Sequence, residues 1–68
     1  MSMRILLNGE TRELAGEMSL TELLRSFELS EKRVAVELNR EVVRRADWPT
    51  TTVAADDKVE VIHFVVGG

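Results

Sequence analysis

Hydrophobic and polar residues alternate along three stretches of the chain, with the period of two that is typical of β-strands. This alternation predicts strands over residues 3–8, 34–39 and 58–65. Asn8-Gly9 follows the first stretch and favours a two-residue type I′ turn, because both of its central positions need a positive φ. We therefore expect residues 10–14 to return antiparallel to the first strand and to lie at an edge of a sheet.

A short helix is predicted after Ser19. Ser19 and Glu22 have the S-x-x-E spacing of a capping box, in which each side chain accepts a hydrogen bond from the other residue's backbone N–H. The apolar residues that follow recur at i, i+3, i+4 and i+7 and form one narrow face: Leu20, Leu23, Leu24 and Phe27. Such a helix is suited to lie across one face of a sheet.

The remaining segments complete the order strand, strand, helix, strand, short strand, strand. Asn39-Arg40 predicts a tight turn into 41–43, at a cost of roughly 1 kcal/mol if Arg40 has a positive φ. We expect Trp48 to cover one end of the core. One helix can cover only one face, so we predict an α+β protein with a β-grasp (ubiquitin-like) roll. Its mixed five-stranded sheet would hold the first and last strands parallel at its centre.

Composition narrows the classes of function. The 68 residues predict one domain over residues 1–68. Nine basic and twelve acidic residues give a net charge of −3, which argues against a nucleic-acid partner. The absence of cysteine excludes disulfides and a Cys nucleophile, and the single histidine, His63, cannot form a His pair around a metal. With no membrane span or signal peptide in the sequence, we expect a cytoplasmic protein. We also expect the free chain to be a monomer.

Two features suggest a role in binding rather than catalysis. Strand alternation places Ile62 and Phe64 on the face away from the helix, and Leu6 joins them if the first and last strands are neighbours. Three contiguous apolar side chains there would form a docking patch. The chain also closes on Gly67-Gly68, which we expect to be a flexible tail that can enter a narrow channel. The reactive group of that tail would be the carboxylate of Gly68, which needs activation by a separate ATP-using enzyme.

Together these residues resemble the ThiS family, the sulfur carrier proteins of thiamine biosynthesis. The matching stretches are Asn8-Gly9-Glu10, Ser19-Leu20-Thr21-Glu22-Leu23-Leu24, Val34-Ala35-Val36-Glu37-Leu38-Asn39, Glu41-Val42-Val43, Trp48, Asp57-Lys58-Val59-Glu60-Val61 and Phe64-Val65-Val66-Gly67-Gly68. The resemblance implies a carrier whose Gly68 is adenylated by a ThiF-like adenylyltransferase with ATP and magnesium. A thiocarboxylate would then form with sulfur from a cysteine desulfurase and pass to a thiazole synthase.

On this interpretation the chain is a substrate and sulfur donor, not an enzyme, and binds no cofactor or metal itself. Gly68 would carry the sulfur, and Gly67, which has no Cβ, would allow the tail to pass through a narrow channel. The partner contacts would be Leu6, Ile62 and Phe64, with His63 and Val66 near the same surface. Three alternatives stay open: the small subunit of molybdopterin synthase, a ubiquitin-like protein modifier, and a β-grasp binding module with inert glycines.

Overall fold

The computed structural model describes residues 2–64 and has the predicted α+β architecture. The strands are β1 (Met3–Leu7), β2 (Glu10–Leu14), β3 (Met18–Ser19), β4 (Val34–Leu38), β5 (Glu41–Val43), β6 (Thr52–Val53) and β7 (Lys58–His63). The helix α1 spans Leu20–Ser26, and a 3₁₀ helix spans Arg45–Thr50. Five strands form one sheet in the order β2-β1-β7-β4-β5, in which β1 and β7 pair parallel and the other pairs are antiparallel. The predicted β-grasp arrangement is confirmed.

Two turns end their strands one residue earlier than the alternation predicted. Asn8 and Gly9 have φ angles of 51° and 81°, as a type I′ turn requires, so Asn8 belongs to the turn and not to β1. Asn39 and Arg40 have φ angles of 52° and 71° and join β4 to β5 in the same way. The predicted tight turn at Asn39-Arg40 is therefore confirmed, and Arg40 does have the positive φ on which the expected cost depended. A side chain with a Cβ at that position costs about 1 kcal/mol relative to glycine.

The capping box at the start of α1 is present with both of its hydrogen bonds. The backbone N–H of Glu22 donates to Ser19 Oγ at 3.1 Å, and the N–H of Ser19 donates to a Glu22 carboxylate oxygen at 3.0 Å. The bond from the Ser19 backbone, and then that from its side chain, lower the pKa of Glu22 below its ordinary value of 4.5. Leu20, Leu23 and Leu24 are fully buried, so this cap fixes the helix that closes the inner face of the sheet.

The segment between β5 and β7 contains structure that alternation does not reveal. β6 pairs antiparallel with β3 in a small second sheet of two residues on each side, too short to show a period. Within the 3₁₀ helix, Trp48 is 3% exposed and its indole N–H donates to the Val43 carbonyl at 2.9 Å. The prediction that Trp48 covers one end of the core is confirmed.

A polar network holds the start of β7. The carboxylate of Asp57 accepts from the backbone N–H of Ala54 at 2.8 Å and from the Asn39 side-chain amide at 3.0 Å. The Oδ1 atom of Asn39 accepts in turn from the N–H of Lys58 at 2.9 Å. The loop before β7 is thereby tied to the turn between β4 and β5. β7 ends at His63, so Phe64, which alternation placed in the strand, lies one residue beyond it, and the predicted end at Val65 lies outside the described residues.

The core occupies the space between the inner face of the sheet, α1 and the 3₁₀ helix. Its buried members are Ile5, Leu7, Leu14, Leu20, Leu23, Leu24, Val34, Val36, Trp48, Val53, Val59 and Val61. Of the residues that the structure describes, none with a polar or charged side chain is buried. No helix within residues 2–64 is long and apolar enough to cross a membrane.

Candidate functional site

The carboxyl end of the central strand is the described part of the predicted site. β7 lies between β1 and β4, and the N–H of Phe64, one residue beyond the strand, donates to the Arg33 carbonyl at 3.0 Å. The predicted tail residues Val66, Gly67 and Gly68 follow Phe64 and lie outside the described residues. The structure thus fixes the point from which the tail departs.

Apolar side chains are exposed at the positions that strand alternation predicted. Leu6 is 37% exposed, Ile62 45% and Phe64 47%. Val42, 69% exposed, is a fourth exposed apolar residue that sequence reasoning missed. Its strand has only three residues, but pairing with Glu37 of β4 could have revealed its outward direction.

The register of the sheet divides the predicted patch into two parts. Leu6 lies beside Lys58, whereas Ile62 lies four residues further along β7, beside Ala35. Four residues of strand span roughly 13 Å, and Glu60 points outward between the two positions. The prediction of three contiguous apolar residues is therefore wrong: Ile62 and Phe64 are neighbours, and Leu6 is separate.

His63 belongs to the other face of the sheet. It pairs in register with Val34, whose side chain is buried in the core, and residues directly opposite in a ladder share a face. His63 is nonetheless exposed, because it lies at the rim of the inner face near the end of β7. A surface that contains Ile62 and Phe64 can include His63 only by wrapping around the strand end.

The side of β7 that faces β1 is only partly paired. The parallel ladder ends at Leu7 and Val59, after which the chain turns away at Asn8. The N–H of Val61 donates instead to the side-chain Oδ1 of Asn8 at 2.8 Å. Sequence reasoning assigned Asn8 to the end of the first strand and to the turn, and nothing in the local pattern signals this bond between residues 53 positions apart.

The outer face also carries two carboxylates in an unfavourable position. Glu37 lies directly opposite Glu60 across the β4–β7 ladder. Within residues 2–64 neither carboxylate forms a salt bridge. Like charges directly opposite one another destabilise a sheet, so this part of the outer face is not arranged for stability alone.

A shallow cavity lies at the opposite end of the sheet. Its volume is about 320 Å³ and it is lined by Arg4, Ile5, Leu6, Thr11 and Asp56. The N–H of Asp56 donates to the Arg4 carbonyl at 2.7 Å, and Asp56 precedes Phe64 by eight residues, with the whole of β7 between them. The cavity and the tail therefore belong to different regions. Among residues 2–64, no three His, Cys, Asp or Glu side chains are grouped so that they could hold a metal ion.

Comparison with known proteins gives consistent results. The model of the ThiS family matches residues 5–68. The chain is similar to a sulfur carrier protein ThiS of Bacillus subtilis, with 34% identity over 50 residues that cover 74% of this chain and 76% of that protein. Its structure is similar to the crystal structure of a thiamine biosynthesis protein (ThiS) from Geobacter metallireducens, and the two sequences are 36% identical. That likeness covers 97% of this chain and all of the other, with a TM-score of 0.87.

A longer protein contains a similar segment. A thiazole synthase of Magnetococcus marinus is 38% identical over 66 residues, which cover 97% of this chain. The chain spans only 20% of the length of that thiazole synthase, and of a second one from Paramagnetospirillum magneticum. These relatives therefore have a segment like this chain and a much larger remainder.

Proposed function

Because the chain belongs to the ThiS family, we propose that it is a sulfur carrier protein of thiamine biosynthesis, which serves the formation of the thiazole ring. The observation that carries the proposal is the family match over residues 5–68, which includes the closing Gly67-Gly68. The described geometry supports it, since the central strand β7 ends at His63, only four residues before Gly67 in the sequence. In this function the chain is a substrate and donor for other enzymes and not a catalyst.

The chemistry takes place at the carboxylate of Gly68. In the first step a carboxylate oxygen attacks the α-phosphorus of ATP on a ThiF-like adenylyltransferase, with magnesium as the counterion, and pyrophosphate leaves. In the second step a cysteine desulfurase releases alanine from cysteine and passes its sulfur to a thiol as a persulfide, whose outer sulfur attacks the acyl carbon. The C–S bond forms and the C–O bond to AMP breaks, which gives an acyl disulfide. A thiol reductant then cleaves the S–S bond, so that the thiocarboxylate of Gly68 results and the reductant is oxidised to a disulfide. Since ATP and cysteine are available there, we place this carrier in the cytoplasm.

The acceptor of the sulfur is a thiazole synthase on this proposal. Its support is the pair of thiazole synthases that contain a segment 33–38% identical to this chain. Joining two activities in one chain is useful when one delivers its product to the other, since tethering raises the effective concentration of each. The same observation favours thiazole formation over the molybdopterin alternative.

Partner contact is proposed at the end of β7. Ile62 and Phe64 would pack against the partner, and His63 and Val66 would line the point where the tail enters it. Leu6 was included among these contacts by sequence. It would take part only in a partner that also reaches the β1 side of the outer face, because register separates it from Ile62.

The test is the intact mass of the chain after incubation with magnesium-ATP, cysteine, a cysteine desulfurase, a thiol reductant such as dithiothreitol and the ThiF-like enzyme of the same organism. We expect one oxygen to be replaced by sulfur, and tandem mass spectrometry should place the change at Gly68. A variant that lacks Gly68 is the main control. Gly68→Ala keeps the terminal carboxylate but adds a Cβ, and should react more slowly.

Two results would contradict the proposal. One is an unchanged mass for the full chain with a ThiF-like enzyme that is active on its own known carrier. The other is an isopeptide-linked ladder on target proteins in place of a thiocarboxylate, which would support the modifier alternative.

A further inference from the structure

The C-terminal half of β7 has a backbone edge that another strand could occupy. Along β7, successive N–H and C=O groups point alternately to the two neighbouring strands. The N–H of Phe64 donates to the Arg33 carbonyl, and the carbonyl of Lys58 accepts from the N–H of Asn39. Arg33 and Asn39 flank the two ends of β4, so the even-numbered residues of this stretch face β4. Val59 C=O accepts from Asn8 N–H, so the odd-numbered residues face the β1 side.

On that β1 side the ladder stops too early to satisfy the last odd-numbered residues. Val59 pairs with Leu7, and Val61 N–H is taken by the Asn8 side chain. Beyond this point the alternation aims the Val61 carbonyl and the His63 N–H away from β4. Within residues 2–64, neither group has a hydrogen-bond partner and no strand lies in register with them.

The reason is the position of the β1–β2 turn. Asn8 and Gly9 reverse the chain at the level of Glu60, so the place that β1 would fill beside residues 61–63 is left open. Asn8 caps the inner end of this opening, as its side chain substitutes for the next backbone carbonyl. The exposed edge of a central strand is a template for β-strand addition, in which main-chain hydrogen bonds supply affinity.

We propose that this open edge of β7, at Val61 and His63, pairs with an extended segment of the enzyme that adenylates Gly68. The inference rests on the proposed function, and geometry supplies the occupant. Gly68 is four residues beyond Phe64, and four extended residues span at most about 14 Å. An enzyme that encloses the Gly68 carboxylate must therefore contact the end of β7, where the open edge lies between the exposed side chains of Ile62 and His63.

His63→Pro tests the pairing, with His63→Ala as its matched control. Both variants remove the imidazole, but only proline removes the N–H that faces the opening. The β4 ladder is kept, because its bonds come from residues 62 and 64. With the ThiF-like enzyme and magnesium-ATP, we expect the Kd of His63→Pro to exceed that of His63→Ala by about 2- to 12-fold, the effect of one hydrogen bond. Equal Kd values would overturn the pairing.

Amide hydrogen exchange of the unmodified full chain keeps the inference testable if proline disturbs the fold. Free, the His63 amide should exchange much faster than that of Val61, which Asn8 holds. In the complex the His63 amide should become protected. Exposure of this amide in a complex that still adenylates Gly68 would overturn the pairing alone and leave the proposed function intact.

Two further outcomes have defined meanings. Protection of the His63 amide in the free chain that rises with protein concentration would assign the opening to a second copy and overturn the inference. Failure of the unmodified chain to be adenylated would overturn the proposed function itself, and the occupant with it.

Discussion

The two faces of the same sheet are built on different principles. On the inner face every strand of the central three contributes buried aliphatic side chains, and α1 adds three leucines with no exposed area. The outer face has no helix over it. It combines exposed apolar residues near the end of β7 with two glutamates placed opposite one another, without salt bridges in the described part of the chain.

This difference separates stability from recognition. In a chain this short, a single core is close to the minimum that can stabilise a fold, so the inner face can tolerate little change. The outer face contributes little to the core and even includes a repulsive pair. Its residues are therefore free to serve partner binding, and substitutions on the two faces should have different consequences.

The largest effect should come from the helix side of the inner face. Leu23→Ala removes a fully buried side chain, and truncation of a buried leucine costs about 2–5 kcal/mol. Ile62→Ala is the outer-face control, with an expected change within about 0.5 kcal/mol. Urea unfolding followed by circular dichroism measures both. Similar losses of unfolding free energy for the two variants would show that the faces do not differ in this way.

The second prediction sharpens the comparison from the outer side. Phe64→Asp should leave the free energy of unfolding unchanged within about 0.5 kcal/mol, since Phe64 is 47% exposed. Binding to the ThiF-like enzyme should weaken at least about tenfold, because a charge replaces an apolar contact beside the tail. Phe64→Leu is the matched control and should bind nearly as the original chain does. Unchanged affinity of Phe64→Asp in titration calorimetry would remove Phe64 from the interface.

Local patterns predicted the elements of the inner face well, for physical reasons. Strand alternation, the Asn8-Gly9 turn and the Ser19–Glu22 capping box are all encoded within a few residues of one another. Each therefore appears in the sequence itself, and the structure confirms each. The β3–β6 pair and the 3₁₀ helix were missed because two strand residues, or six residues around Pro49, show no period.

The outer face was harder to predict, because its arrangement depends on register between distant strands. Alternation correctly gave the outward direction of Leu6 and Ile62. It could not show that the parallel pairing of β1 and β7 sets Leu6 beside Lys58 and away from Ile62. The same limit applies to His63, whose face is known only from its pairing with Val34, and to the bond between Asn8 and Val61.

A smaller effect is expected from the outward-facing charges. Glu60→Gln should raise the free energy of unfolding by about 0.5 kcal/mol, since it ends the repulsion with Glu37. Glu13→Gln is the matched control and should lower the free energy of unfolding, because it removes a carboxylate that lies opposite Arg4 in the β1–β2 ladder. Urea unfolding at low salt should reveal both shifts, and about 1 M salt should reduce them. A destabilised Glu60→Gln would refute the idea that this pair opposes folding.

The smallest effect concerns the cap of the helix that covers the inner face. Hydrogen bonds from Ser19 lower the pKa of Glu22 in the folded chain, so its carboxylate is favoured over the protonated form. A lowered folded pKa adds stability above the unfolded pKa, and that stability is lost as the pH falls through the folded value. NMR titration of the Glu22 side-chain carbon should give a pKa below 4.5. Glu22→Gln keeps an acceptor for the Ser19 N–H but does not titrate. The unfolding free energy of this variant should therefore depend less on pH below 4.5 than that of the original chain. If the two chains lose stability in parallel on acidification, the carboxylates responsible lie elsewhere, and the capping box stabilises the helix without making it sensitive to acid.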